Sequence, residues 1–191
     1  MESYIETYSG EKFYFLTPKT QVFKLKDIAH ALSMICRFTG HCKEFYSVAE
    51  HSWHVARMLE GCPIEVQIAG LLHDASEAYI TDIASPIKQH LPDYQKLEDG
   101  ILAAIFAQYH LEYPMHPAVK QADLAMLSTE AHYMLHSGGN SWDMWKERRR
   151  PAPNALYRPI NMPPRQAAQL FLDKFNELYE LYRASLRVAT A

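Results

Sequence analysis

The stretch from Ile64 to Glu77 constrains the fold more than any other. Ile64 to Leu72 is mostly apolar, with Glu65 and Gln67 as its polar members. Such a run reads as a buried helix. It ends abruptly in His73-Asp74-Ala75-Ser76-Glu77, which brings an imidazole and two carboxylates within five residues. Polar groups of this kind are costly to bury without partners. A metal site at the end of a core helix gives them a reason to be there, and the rest of the chain must then supply further ligands.

Composition narrows the class. With 191 residues, the chain is most simply a single domain spanning 1–191. Hydrophobic content of 48% and charged content of 21% are ordinary for a globular protein. A net charge of -3 argues against a long nucleic-acid groove, which needs many basic contacts, but permits a small phosphorylated ligand. Cys36, Cys42 and Cys62 form no C-x-x-C pair, as expected in a reducing compartment. The first residues lack a basic region followed by an apolar core, and no apolar run reaches the roughly 20 residues of a membrane span. The expected location is the cytoplasm, that of a host if the gene is phage-borne.

The patterning is helical almost throughout. Residues 1–24 form an aromatic-rich arm in which Tyr14-Phe15-Leu16 and Val22-Phe23 are candidate short strands. From Leu25, the spacing of Ile28, Leu32, Ile35 and Cys36 predicts an amphipathic helix ending near Gly40. Ser47-Val48-Ala49-Glu50 is a capping box opening a helix to about Glu60. Further helices are expected over about 64–79, 93–109 and 117–135, with a short turn or helix at Pro86. Residues 137–162 are irregular, and Pro163-Pro164 opens a last helix to about Arg187. The fold class is therefore all-α, a bundle of about six or seven helices.

His73 and Asp74 are neighbours, and on a regular helix they diverge by about 100°. Both can reach one ion placed beside the helix between them. Glu77 lies four residues from His73 and three from Asp74 on the same side, placed to touch a water at the metal. His51, in the capped helix, and Asp123, in Val119-Lys120-Gln121-Ala122-Asp123-Leu124, are polar residues inside core-like patterns. Together, His51, His73, Asp74 and Asp123 would make a mixed imidazole–carboxylate site for one divalent cation such as Zn, Co, Mn or Mg.

A histidine, then His-Asp, then a later lone aspartate resembles the signature of HD-domain metal-dependent phosphohydrolases. The wider context is Arg37, Tyr46-Ser47-Val48-Ala49-Glu50-His51-Ser52, His73 to Glu77, Asp82, Pro86, Lys88 and Lys120 to Asp123. It resembles the branch of bacterial deoxynucleoside 5'-monophosphatases and phage dATP triphosphohydrolases, over about residues 25–135. The resemblance implies an HD-type helical bundle with His51, His73, Asp74 and Asp123 as metal ligands. It implies Glu77 as the residue that orients or deprotonates water, and Asp82 as a further acidic group near the reacting oxygens. Arg37, Lys88 and Lys120 are implied as phosphate contacts. Phe38 stands where the family often carries tryptophan, so an aromatic wall remains without an indole N–H. Relatives assemble as dimers or larger rings, so a homo-oligomer is expected.

The chemistry matches that inventory. A divalent ion neutralises phosphate charge and lowers the pKa of its water from about 15.7 to about 7. Arginine offers a planar fork to phosphate, and lysine a point charge. The expected activity is hydrolysis of a deoxynucleotide, a dATP-like triphosphate giving deoxynucleoside and triphosphate, with an additional Mg on that substrate. The alternatives are a deoxynucleoside 5'-monophosphatase, a phosphodiesterase and a nucleotide-sensing module without turnover. His54 is expected to be packed, His41 is divided between loop structure and substrate contact, and Glu130 and His132 read as packing. Arg148-Arg149-Arg150 reads as a solvated charge run.

Overall fold

The computed structural model describes residues 3–146 and 149–189. Arg148 of the arginine run lies outside the described residues. The arm folds as a hairpin, earlier in the chain than the pattern suggests. Strand β1 (Tyr4–Glu6) pairs antiparallel with β2 (Lys12–Tyr14), with Ile5 opposite Phe13. Gly10, at φ +81°, makes the connecting turn and donates its N–H to Thr7 O at 2.9 Å. Phe13 and Phe23 are buried and pack on Tyr79, so the arm is anchored by aromatic contact. The Gln108 side chain clamps the Phe23 backbone with two hydrogen bonds of 2.8 Å.

Helix α1 covers Leu25–Met34 and stops before the expected Gly40. Ile35 is extended, and Cys36 pairs with Ser47 in an antiparallel bridge. Arg37 N–H donates to Tyr46 O at 2.9 Å and Val48 N–H to Ile35 O at 3.1 Å. This short ribbon fixes Arg37 beside the start of α2 (Val48–Met58). Ser47 caps α2 as expected, its Oγ accepting the Glu50 N–H at 3.1 Å. The Glu50 carboxylate does not complete a capping box. It turns away to accept the backbone N–H groups of Ile160, Asn161 and Met162.

Helix α3 covers Ile64–Leu72, and the single helix expected to Tyr79 is broken in two. After Leu72 the chain tightens into bonds between residues three apart, such as Ala75 N–H to Leu72 O and Glu77 N–H to Asp74 O. The one-turn helix α4 (Glu77–Ile80) follows. The remaining helices are α5 (Ser85–Lys88), α6 (Pro92–Gln108), α7 (Pro117–Met134) and α8 (Pro164–Ala189). The protein is all-α apart from the hairpin.

Helices α2 and α3 form the centre, packed on each other and on α7 and α8, with α1 against α2 and α8. Val55, Ala56, Ile68, Leu71, Leu72 and Phe171 are fully buried there. Each large apolar side chain so buried contributes about 1.5–3 kcal/mol. Gly70 permits the close approach of α3 to α2, since a Cβ there would lie 2.3 Å from Leu59 Cδ1. No described helix is long and apolar enough to cross a membrane.

The irregular segment is fastened by Arg150, which is not a solvated charge. Its guanidinium donates to Ser128 Oγ and O, Gly138 O and Asn140 Oδ1, and lies over the Trp145 ring. Arg149 is exposed.

Candidate metal centre

Three elements bring the site together. His51 projects from the first turns of α2, His73 and Asp74 from the tight turn after α3, and Asp123 from the second turn of α7. His51 Nε2 lies 3.2 Å from His73 Nε2, and His73 Nε2 lies 3.2 Å from Asp74 Oδ2. His51 Nε2 is 3.6 Å from Asp74 Oδ2 and 3.4 Å from Asp123 Oδ1. His51, His73 and Asp74 form a group able to hold a metal ion, all within 4.8 Å of one another. Asp123 faces both imidazoles while its Oδ2 takes a 2.6 Å ion pair from Lys120.

The rings are oriented from behind. His73 Nδ1 sits 2.8 Å from Gly70 O, a carbonyl that can only accept. The proton is therefore on Nδ1 in the neutral ring, and the Nε2 lone pair faces the cluster. His51 Nδ1 sits 2.5 Å from Glu130 Oε1, which assigns its proton in the same way. Two Nε2 lone pairs then point at each other across 3.2 Å with a carboxylate beside them. While both rings are neutral, as metal ligands must be, neither nitrogen can donate to the other. This donor set fits a divalent cation, for which neutral imidazoles and carboxylates are the ordinary ligands.

Glu130, expected to be packing, is the residue behind His51. It is fully buried and accepts from Tyr46 Oη at 2.9 Å and from Arg37 Nε and Nη2 at 3.2 and 3.1 Å. The register carried a signal, since Glu130 lies two helical turns beyond Asp123 and so shares its face.

Charge in the cluster is tightly balanced. Burial and Arg37 oppose a charged His51, but Glu130 and Asp123 prevail and push its pKa up to about 9. Burial alone would raise the Glu130 carboxyl, yet Arg37 and His51 hold it at about 2. Burial likewise opposes ionisation of Asp74, and the imidazoles of His73 and His51 hold it far below the usual carboxylate range. For Asp123, burial is again outweighed, here by His51, His73 and Lys120. The cluster therefore draws positive charge to its centre.

Around it stand the remaining expected residues. Arg37 is half-buried, and its Nε–Nη2 edge is taken by Glu130, so only Nη1 faces the centre, 3.6 Å from Asp74. The expected two-pronged phosphate grip is thus half occupied. Glu77 is buried with Oε2 unbonded, and Oε1 is 3.7 Å from Lys88 Nζ. Burial, with Asp74 and Asp82 nearby, lifts the Glu77 pKa well above the ordinary glutamate value. Lys88 is held at 2.6 Å by Glu98. Asp82 is half-buried, and burial raises its pKa against the pull of Arg37.

His73, Asp74, Lys88, Lys120 and Asp123 line a cavity of about 380 Å³, together with Leu102, Tyr113, Met115 and Val119. Phe38 does not line it. At φ +56° it turns towards Trp142, ring centroids 6.2 Å apart. His54 is packed as expected, and His41 is exposed in its loop.

No protein-family model matches the chain. It is 38% identical over 183 residues to the uncharacterized protein YfdR of Escherichia coli (strain K12), covering 96% of this chain and 99% of that protein. It is 34% identical over 134 residues to an uncharacterized protein of Rhodobacter capsulatus, covering 64% of this chain and 68% of the other. Identity at this level over nearly the whole length of both chains means that the protein belongs to the YfdR family.

Proposed function

We propose that this protein is a metal-dependent phosphohydrolase acting on deoxynucleotides. One observation carries the reading: two imidazole lone pairs and flanking carboxylates converge, and His73, Asp74 and Asp123 of that group line a cavity together with Lys88 and Lys120. The resemblance of this ligand order to HD-domain phosphohydrolases supports the same chemistry. His51, His73, Asp74 and Asp123 would hold one divalent cation. When bound, that cation supplies Lewis-acid neutralisation of phosphate and a more acidic water.

The chain's own residues do the rest. Glu77 is raised in basicity by burial and lies at the cluster, suited to take a proton from water. Lys88, between Glu77 and Glu98, would draw a phosphate oxygen towards Glu77. Arg37 Nη1 offers a donor at Asp74. Lys120 is the more exposed cation and would meet the outer phosphates.

Two substrates fit this chemistry, a dATP-like triphosphate and a deoxynucleoside monophosphate. The cavity volume favours the monophosphate as the second reading, since about 380 Å³ is near the small end of ligand pockets. Lys88 and Lys120 are also each paired with a carboxylate. The test is a panel of dNMPs, dNTPs and NTPs with Co, Mn, Mg or Zn. Free triphosphate from dATP supports the first substrate, and phosphate from dNMPs alone supports the second. No release from any mononucleotide overturns the proposal.

A further inference from the structure

A second cavity, of about 250 Å³, lies behind α4, away from the ligands. It is lined by Ile5, Thr7, Tyr8, Asp27, His30 and Tyr79, with Glu6, Ala31 and Ala78 at its edges. Asp27 is 4% exposed. Its Oδ2 accepts from Ser9 Oγ at 2.7 Å and Thr7 Oγ1 at 3.0 Å. Its Oδ1 is buried and accepts nothing. A buried carboxylate oxygen without a donor is costly, which marks a place built for one.

The remaining walls say what kind of donor. Among the described residues no lysine or arginine lines the cavity, and Glu6 adds a second acid. Tyr8 stacks on His30 with centroids 3.7 Å apart, and Tyr79 contributes another ring. Aromatic faces beside a carboxylate favour an organic cation. A bare metal ion would need several oxygen ligands at short range, which one free carboxylate oxygen and aromatic walls do not offer.

We propose that this cavity binds a small organic cation, an ammonium or guanidinium on a short chain, whose N–H donates to Asp27 Oδ1. Binding here bears on the metal centre through α4. Ala78 and Tyr79 line this cavity, and Glu77, the neighbouring residue of the same single turn, lies 3.7 Å from Lys88, which lines the other. Occupancy therefore shifts Glu77 and changes the rate of hydrolysis. That last step rests on the function proposed above, whereas binding itself does not.

The experiment is calorimetric titration of the full chain with butylammonium and methylguanidinium, with 1-pentanol as the neutral control. The cations bind and pentanol does not. Asp27→Asn keeps the shape and loses the charge, and weakens binding by ~tenfold or more. Tyr8→Ala, at a ring that is 64% exposed, also weakens it and decides the matter if Asp27→Asn fails to fold. No cation binding at millimolar concentration, equal binding of pentanol, or unchanged affinity in the folded variants overturns the site. Saturation with cation without a change in the rate of hydrolysis overturns the coupling to Glu77. If cations bind but no mononucleotide is hydrolysed, the site stands and the proposed function falls.

Discussion

Glu130 holds His51 through a 2.5 Å contact between Oε1 and Nδ1, at a position with no solvent access. The same carboxylate carries Tyr46 and Arg37, so it fixes the ring and the nearest guanidinium together. Groups behind a metal ligand set its tautomer and orientation, and their loss commonly costs 10–100-fold in affinity. Glu130→Gln should weaken metal binding by about that factor, measured by competition with a chelator of known affinity. Unchanged affinity would mean that Gly70 and the packing of α2 orient the imidazoles without Glu130.

The ligand candidates were legible because their residue types interrupt helical core patterns in register. His51, His73 and Asp74 do meet in space, and Asp123 faces them. Glu130 was not legible, because a carboxylate two turns along a helix looks like surface or packing until its partner on another helix is known. The break after Leu72 was hidden too. Nothing in Ala75-Ser76 forbids a regular helix, and the tighter turn is set by tertiary contacts around His73 and Asp74. Arg150 looked solvated beside other arginines, yet the carbonyls of Ser128 and Gly138 capture it. Phe38 and Thr39 are left-handed at φ +56° and +54°, a conformation that neither residue type advertises.

Under the proposed function, Glu77 separates chemistry from metal binding. Its Oε2 is buried and unbonded, and it is not part of the grouped ligands. Glu77→Ala should lower kcat by ~10²–10⁴-fold, the usual worth of a positioned general base. Metal affinity should stay within about twofold of the parent. Rates equal to the parent at saturating substrate and metal would remove Glu77 from the mechanism.

Metal removal should destabilise the fold, because Asp74, Asp123 and the imidazoles come from three separate elements. An ion at a thousandfold its Kd adds about 4.1 kcal/mol to the bound, folded state. At ~2–4 °C per kcal/mol for a chain of this size, chelation should lower Tm by roughly 8–16 °C. Scanning calorimetry with and without chelator reads this directly. Superimposable melts would show that the cluster is held by protons alone.

Cys42 offers a pH test away from the centre. Burial first, then the Cys36 thiol 3.5 Å away, push its pKa up to about 11. Both causes disfavour the thiolate, so the reactive form is scarce at neutral pH and grows as pH rises towards 11. Iodoacetamide labelling of Cys42, followed by peptide mass spectrometry, should still be accelerating between pH 9 and 10. A plateau by pH 9 would show an ordinary, solvated thiol.

Glu50 ties the irregular segment to the core beside the candidate metal centre. Its fully buried carboxylate accepts the Ile160 and Asn161 N–H groups at 2.6 and 3.1 Å on Oε1 and the Met162 N–H at 2.7 Å on Oε2. Asn161 is held at φ +60°, so the loop adopts a conformation that these bonds must stabilise. Glu50→Ala strips three backbone donors of their acceptor, of which the Met162 N–H is buried, and a buried unsatisfied group costs about 1–3 kcal/mol. Stability by denaturant titration should fall by ~1–3 kcal/mol, and the amides of residues 160–162 should exchange much faster. Because Glu50 is the residue before His51, metal affinity should weaken as well. A loss under ~1 kcal/mol with slow amide exchange retained would show that water replaces the carboxylate there.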